Sequence, residues 1–162
     1  MTLRDATADD LDAIMAIEHR SFPTDAWSAA TMAAELSSPH GRYLVDEHDG
    51  VIIGYGGVRA LHGSADADIQ TIAFLPEHRG NGRGRALLRV LLLTAADRGA
   101  REVFLEVRAD NPSAEGLYLA EGFEELARRP NYYQPDNVDA IVMRLRVRAS
   151  SASTITAEET KA

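Results

Sequence analysis

The chain has 162 residues, 45% hydrophobic and 26% charged, a composition that excludes a wholly disordered protein. It has no cysteine, which excludes a disulfide framework and a thiol nucleophile, and its net charge of -8 disfavours binding to nucleic acid and suits a basic peptide. Because no apolar run is long enough for a membrane span and no signal peptide is visible, we expect a cytoplasmic protein.

Hydrophobic spacing and turn residues predict, in chain order, a strand, two helices, three strands, a helix, a strand, a helix and two strands. The strands are predicted at residues 2–6, 42–46, 51–60, 68–74, 103–107, 123–127 and 140–145, and the helices at 8–20, after the N-cap Ser28, at 84–98 and at 112–121. Asp49-Gly50 predicts a hairpin between two of the strands. The apolar run 103–107 is typical of a strand that is buried on both faces.

This order of elements predicts a mixed α/β sandwich, with one sheet and helices around it. We interpret residues 1–148 as a single domain, because no internal repeat or linker interrupts them. Residues 149–162 are rich in Ser, Ala, Thr and Glu without periodicity, so we predict a disordered tail.

Three glycines alternate in Arg79-Gly80-Asn81-Gly82-Arg83-Gly84, between a predicted strand and a long predicted helix. Glycine permits positive φ and a close approach of the backbone to a ligand, and the helix start offers unpaired N–H groups. With the positive charge of Arg79, Arg83, Arg85 and Arg89, the turn predicts a site for a phosphate or pyrophosphate. It lacks the lysine of a P-loop and the third glycine of a Rossmann fingerprint. The glycines alone fit a tight turn with solvated arginines equally well.

The pattern Arg79-x-x-Gly82-x-Gly84 resembles the acetyl-CoA pyrophosphate loop of the GNAT superfamily of N-acetyltransferases. Residues 70–76 are similar to that superfamily's central strand, and residues 111–123 to its next hallmark block. The resemblance covers roughly residues 2–145. It implies a GNAT-like fold, with a central mixed, mostly antiparallel sheet of about seven strands flanked by four helices.

Three further segments resemble the RimI-type enzymes of this superfamily, which acetylate the N-terminal alanine of a ribosomal protein. They are Ile17-Glu18-His19 with Phe22 and Trp27-Ser28, then Leu105-Glu106-Val107-Arg108-Ala109, then Asn131-Tyr132-Tyr133. The first segment departs from the family pattern, because residues 23–26 separate Phe22 from Trp27. The resemblance implies direct transfer in a ternary complex, from acetyl-CoA to the N-terminal α-amine of a small-subunit ribosomal protein.

The resemblance also implies roles for single residues. Glu106 would be the general base and Tyr118 the general acid. The residues implied in acetyl-CoA binding are Ile72, Ala73, Phe74, Arg79, Gly80, Asn81, Gly82, Arg83, Gly84, Arg85 and Asn111. The residues implied in acceptor binding are Phe22, Trp27, Tyr132 and Tyr133.

Residue chemistry leaves alternatives open at these positions. Glu106 is the one acid in the run 103–107, where a charge is costly unless it is used or is paired with Arg108 or Arg101. Tyr118 fits a core role as well as an acid role, because a thiol of pKa about 8.5 leaves without strong acid assistance. The aromatic residues fit caps of the core as well as acceptor walls.

Other functions and partners follow from the same observations. The rivals to N-terminal acetylation are a lysine or small-amine acetyltransferase and a non-catalytic acyl-CoA-binding sensor. The five histidines show no paired metal-ligand spacing, so we predict no metal. Nothing in the sequence indicates an oligomer, and a monomer is the default expectation.

Overall fold

The computed structural model describes residues 2–148, which form seven strands and four α-helices. The strands are β1 Thr2–Asp5, β2 Gly41–His48, β3 Val51–Arg59, β4 Asp66–Phe74, β5 Glu102–Arg108, β6 Glu124–Tyr133 and β7 Val138–Arg146. The helices are α1 Leu11–Ser21, α2 Ala29–Ser37, α3 Arg83–Asp97 and α4 Pro112–Ala120, with 3-10 turns at Ala8–Asp10 and Pro76–His78. The predicted order is confirmed, and the tail predicted at 149–162 lies outside the described residues.

The strands form one sheet in the order β1-β2-β3-β4-β5-β7-β6. Every neighbouring pair is antiparallel except β4 with β5, so the expected mixed, mostly antiparallel sheet is confirmed. Helices α3 and α4 contribute Leu87, Leu91 and Tyr118 to the core on one face, whereas α1 and α2 contribute Ile14 and Met32 to the core on the other. No described helix has the length and apolar character needed to cross a membrane.

Strand β5 is buried on only one face, so the prediction of burial on both faces is wrong. Val103, Leu105 and Val107 are buried, whereas Phe104 is half-buried and Glu106 is exposed. The alternation arises because one face packs on the core while the other opens into a cleft.

Strand β6 is longer than predicted, running to Tyr133 rather than ending near residue 127. It is an edge strand that pairs only with β7, which explains how it accommodates Pro130. The pairing is irregular between Arg129 and Tyr133, where β6 has extra residues relative to β7. As a result, the Asn131-Tyr132-Tyr133 segment belongs to a strand.

Two glycines of β3 allow the sheet to meet its neighbours closely. A Cβ at Gly54 would lie 2.2 Å from the Phe74 ring, and one at Gly56 would lie 2.5 Å from Leu87. These distances are far inside van der Waals contact, so the absence of both side chains lets Phe74 and α3 pack directly on β3.

The start of α3 is fastened to β2 by an ion pair. The Arg83 guanidinium lies 3.3 Å from the carboxylate of Asp46, whose side chain is fully buried. The same guanidinium lies 3.5 Å from Nδ1 of His48. The glycine turn is therefore anchored from inside the protein.

We expect Arg83→Met to lower the free energy of unfolding by about 3 kcal/mol, because the Asp46 carboxylate would stay buried without its cation. The double variant Arg83→Met, Asp46→Asn should regain part of this loss. Urea unfolding provides the measurement. Arg85→Met is the matched control, because the Arg85 side chain is 46% exposed. An Arg83→Met protein as stable as the wild type would contradict the anchoring role.

Candidate active site

The sheet opens in its middle, where the parallel strands β4 and β5 separate. They pair only at Asp66 with Glu102, Ala67 with Val103 and Asp68 with Phe104. Beyond these pairs, β4 continues beside β3 as far as Phe74. Strand β5 continues beside β7 as far as Arg108. The inner edges of both strands therefore present backbone N–H and C=O groups to the gap.

An irregularity in β4 accompanies the separation. Gly57 pairs with Thr71 but Val58 pairs with Ile69, so Gln70 is an extra residue in β4. Such a bulge bends a strand and exchanges which residues face which side. Downstream of Gln70, the β4 strand leads toward the glycine turn.

Two cavities of about 640 Å³ each meet in the gap. The turn cavity is lined by the glycine turn, the end of β4 and the start of α4. The aromatic cavity is lined by residues of β4, β5, β6 and the α1–α2 connection, including Phe22, Trp27, Tyr132 and Tyr133. Six residues line both cavities, which makes them one continuous cleft: Phe22, Ile72, Arg108, Asn111, Ala114 and Tyr118.

The glycine turn has the geometry of an anion site. Gly80 and Gly82 have φ values of 84° and 78°, in the left-handed region that glycine adopts without strain. Gly82 is the N-cap of α3 and offers no side-chain acceptor, so the first N–H groups of the helix are left for a ligand. Gly80, Gly82 and Gly84 all line the turn cavity.

The arginines of the turn differ in their directions. Arg79 and Arg85 line the turn cavity, and Arg79 Nε also donates to the Phe74 carbonyl at 2.9 Å. Asn81 and Arg83 do not line it, and the Arg83 guanidinium pairs with Asp46 instead. Of the four arginines expected to add charge, Arg89 also lies outside the cavity wall and pairs with Glu121 at 2.6 Å.

The two cavities differ in charge. The wall of the turn cavity contains three arginines, Arg79, Arg85 and Arg108, and one carboxylate, that of Asp110. The aromatic cavity has four acids and two arginines in its wall, namely Glu18, Asp25, Asp68, Glu106, Arg108 and Arg129. Burial, and then the charge of Asp66, raises the pKa of the Asp68 carboxyl. The turn cavity therefore suits an anion and the aromatic cavity a cation.

The end of β4 offers a hydrogen-bond donor to the gap. The Leu75 N–H donates to the Ile53 carbonyl of β3 at 2.8 Å. Because successive N–H groups of an extended chain point to opposite sides, the Phe74 N–H points away from β3, into the gap. Ile72, Ala73 and Phe74, which the sequence resemblance implies in acetyl-CoA binding, all line the turn cavity.

Glu106 and Tyr118, the expected base and acid, both line the aromatic cavity. The Glu106 side chain is 34% exposed, and its carboxylate lies 3.5 Å from Arg129 rather than beside Arg108 or Arg101. Tyr118 is 7% exposed, and burial raises the pKa of its hydroxyl to about 12. Its ring contacts Phe123, and its hydroxyl makes no hydrogen bond to any residue of the described range 2–148.

The remaining expected residues lie around this pair. The Asn111 Oδ1 accepts from the Ala114 N–H at 3.2 Å, so this side chain caps α4 at the junction of the cavities. The Tyr132 and Tyr133 rings meet edge to face at 5.1 Å. Within residues 2–148, no three His, Asp or Glu side chains are grouped to hold a metal ion.

Sequence reasoning gave no role to Glu18, which is 2% exposed and lines the aromatic cavity. Its carboxylate accepts from the Trp27 N–H at 2.9 Å and from the Tyr55 hydroxyl. Burial and the Glu18 charge raise the pKa of Tyr55, so its hydroxyl remains a neutral donor. The signal was the position of Glu18 at helical spacing from Ile14, on the buried face of α1.

Comparison with known proteins identifies the family. Residues 11–123 match the model of the acetyltransferase (GNAT) family. N-alpha-acetyltransferase RimI of Mycobacterium tuberculosis is 39% identical over 122 residues, or 74% of this chain and 75% of the relative. The ribosomal protein bS18-alanine N-acetyltransferase of Escherichia coli K12 is 32% identical over 150 residues, or 90% of this chain and 97% of the relative.

Solved structures show the same fold. The crystal structure of the Escherichia coli ribosomal-protein-S18-alanine N-acetyltransferase superposes with a TM-score of 0.81, covering 90% of this chain and 93% of that chain. The Sinorhizobium meliloti phosphinothricin acetyltransferase in complex with acetyl-CoA, 27% identical, superposes with a TM-score of 0.78 over 93% of this chain and 90% of that chain. The chain belongs to the GNAT family and is an acetyl-CoA-dependent N-acetyltransferase.

Proposed function

We propose that this enzyme acetylates the N-terminal α-amine of a protein, and that its acceptor is the N-terminal alanine of a small-subunit ribosomal protein. The observation that carries the proposal is the acid-lined aromatic cavity, which joins the turn cavity beside Tyr118. The name of the Escherichia coli relative supports the ribosomal alanine, and that of the Mycobacterium tuberculosis relative supports transfer to an α-amine. A ribosomal acceptor would place the reaction in the cytoplasm.

The chemistry of Glu106 suits an α-amine. An N-terminal amine has a pKa of about 8, against about 10.4 for lysine, so it needs less help to become neutral near pH 7. A partly exposed carboxylate such as Glu106 can remove that proton through a water molecule. Its ion pair with Arg129 is long, at 3.5 Å, and leaves carboxylate acceptors for this role.

The residues present fit acetyl-CoA, which supplies the activated acetyl group as a thioester. The left-handed glycines, the first N–H groups of α3 and the Arg79 and Arg85 side chains would hold its diphosphate. The inner edge of β4 would hydrogen-bond the amides of its pantetheine arm, with Asn111 at the junction. Backbone atoms of Asn81 and Arg83 would complete the turn.

Two groups of the protein would assist the transfer of the acetyl group. The Phe74 N–H would donate to the thioester oxygen as negative charge develops there. The Tyr118 hydroxyl is protonated at neutral pH, as an ordinary tyrosine is, and burial raises its pKa further, to about 12. It would donate to the departing sulfur. The chain has no cysteine, so direct transfer in a ternary complex is the simplest course.

The acceptor can be tested with a pair of peptides that carry an internal lysine and begin with alanine, one free and one blocked at the N-terminus. We expect acetylation of the free peptide on its α-amine and none of the blocked peptide, because only the α-amine has a low enough pKa. Mass spectrometry of fragments locates the added group.

The other outcomes of this experiment identify the rival functions. Acetylation of the lysine in both peptides would overturn the proposal in favour of a lysine acetyltransferase. Binding of acetyl-CoA without thiol release, with peptides or small amines present, would indicate a sensor.

Glu106→Gln should lower kcat about 100-fold, because it removes the group that accepts the amine proton, and should leave acetyl-CoA affinity unchanged. Steady-state kinetics and calorimetry measure the two effects. Glu125→Gln is the matched control, since Glu125 is an exposed glutamate of β6 that pairs with Arg128 at 3.2 Å. Full activity in Glu106→Gln would exclude this residue as the base.

Tyr118→Phe should lower kcat about tenfold while leaving acetyl-CoA affinity nearly intact, because a thiolate needs only modest help to leave. Tyr43→Phe is a suitable control. Burial raises the pKa of Tyr43 as well, and its hydroxyl has no hydrogen-bond partner in the described structure. Weaker acetyl-CoA binding with unchanged turnover would count against the acid role.

A further inference from the structure

Arg108, at the end of β5, is the centre of an ion-pair network with three segments of the chain. Its guanidinium lies 3.5 Å from Asp25, 2.9 Å from Asp110 and 3.0 Å from Asp136. Asp25 belongs to the α1–α2 connection, Asp110 follows β5, and Asp136 belongs to the β6–β7 connection. Although it contacts three carboxylates at a strand end, the Arg108 side chain is only 15% exposed.

Two more contacts strengthen this junction between the α1–α2 and β6–β7 connections. The Thr24 hydroxyl donates to Asp136 at 2.6 Å, which joins the α1–α2 connection directly to the β6–β7 connection. The Arg108 guanidinium also lies 5.3 Å from the centre of the Tyr133 ring. The Arg108 hydrogen bond lowers the pKa of Asp110, and those of Thr24 and Arg108 lower the pKa of Asp136, so both carboxylates stay charged near neutral pH.

The joined segments carry the walls of the aromatic cavity. Trp27 lies in the α1–α2 connection, and Tyr132 and Tyr133 end the strand that leads into the β6–β7 connection. Thr24 and Asp25 lie in the segment 23–26, where the sequence departs from the RimI-type pattern. The ion-pair network of Arg108 thus includes residues of a segment in which this chain differs from the RimI-type pattern.

We propose that Arg108 is a positioning residue for the acceptor: its guanidinium holds the α1–α2 and β6–β7 connections together and so sets the width of the aromatic cavity. The role rests on the proposed function, because the acceptor would enter between these two segments. Arginine suits it because a planar guanidinium can meet several carboxylates at once, whereas a lysine ammonium is a single point charge.

The position of the cavity wall can be measured without activity, because Trp27 is the single tryptophan of the chain. In Arg108→Lys and in Asp136→Ala, we expect acrylamide to quench Trp27 fluorescence about twofold more efficiently than in the wild type, since the freed connection exposes the ring. Arg144→Lys is the matched control. Arg144 is 22% exposed and pairs with Glu102 and Glu124, outside both cavities.

The kinetic test compares the change in KM for the peptide with the change in KM for acetyl-CoA. Arg108→Lys and Asp136→Ala should raise KM for the free-amine peptide about tenfold, with a smaller change in KM for acetyl-CoA. The double variant should be no worse than the more affected single variant, because both act on one junction. Arg144→Lys should change neither constant.

Unchanged Trp27 quenching in both variants would overturn the positioning role, as would equal increases in both KM values or additive effects in the double variant. If the wild type acetylates no peptide, the proposed function fails while the fluorescence measurement still decides the role of Arg108. Thermal unfolding of Asp136→Ala separates a moved connection from a general loss of structure.

Discussion

The candidate active site depends on the interruption of hydrogen bonding between β4 and β5. Buried backbone groups that lose a strand partner must find another donor or acceptor, and a gap in the centre of a sheet leaves two rows of them. Here the three pairs from Asp66 to Asp68 hold the strands together before they separate. A ligand with amide groups along its length can fill such a gap as an added strand would, which suits the pantetheine arm of acetyl-CoA.

The ends of the gap differ because the chain distributes its charges unevenly. The Arg83 guanidinium pairs with the buried Asp46, whereas Arg79 and Arg85 line the turn cavity. On the side of the aromatic cavity, the buried Glu18 side chain accepts hydrogen bonds from two neutral donors and forms no ion pair in the described structure. An overall net charge of -8 thus coexists with a cavity whose wall is locally rich in arginine.

Much of the fold could be predicted because its signals are local. Alternation, helical spacing and the glycine turn depend on neighbours in sequence, and they gave the order of elements and the residues at the start of α3. What could not be predicted depends on packing between distant segments. Arg83 and Arg85 belong to one run, yet only the structure shows that one meets Asp46. The open face of β5 likewise results from the separation of β4, which no pattern within 103–107 encodes.

The proposed catalytic groups and the walls of the aromatic cavity are held in place by different interactions. Glu106 lies on a strand whose other face packs in the core, and Tyr118 is itself a member of the core, so apolar burial fixes the positions of both residues. The walls of the aromatic cavity depend on connections that are joined by charges and one hydroxyl. Substitutions in residues 23–26 can therefore alter the aromatic cavity without disturbing the core. This separation gives a physical reason why one fold can serve acceptors as different as a protein N-terminus and a small amine.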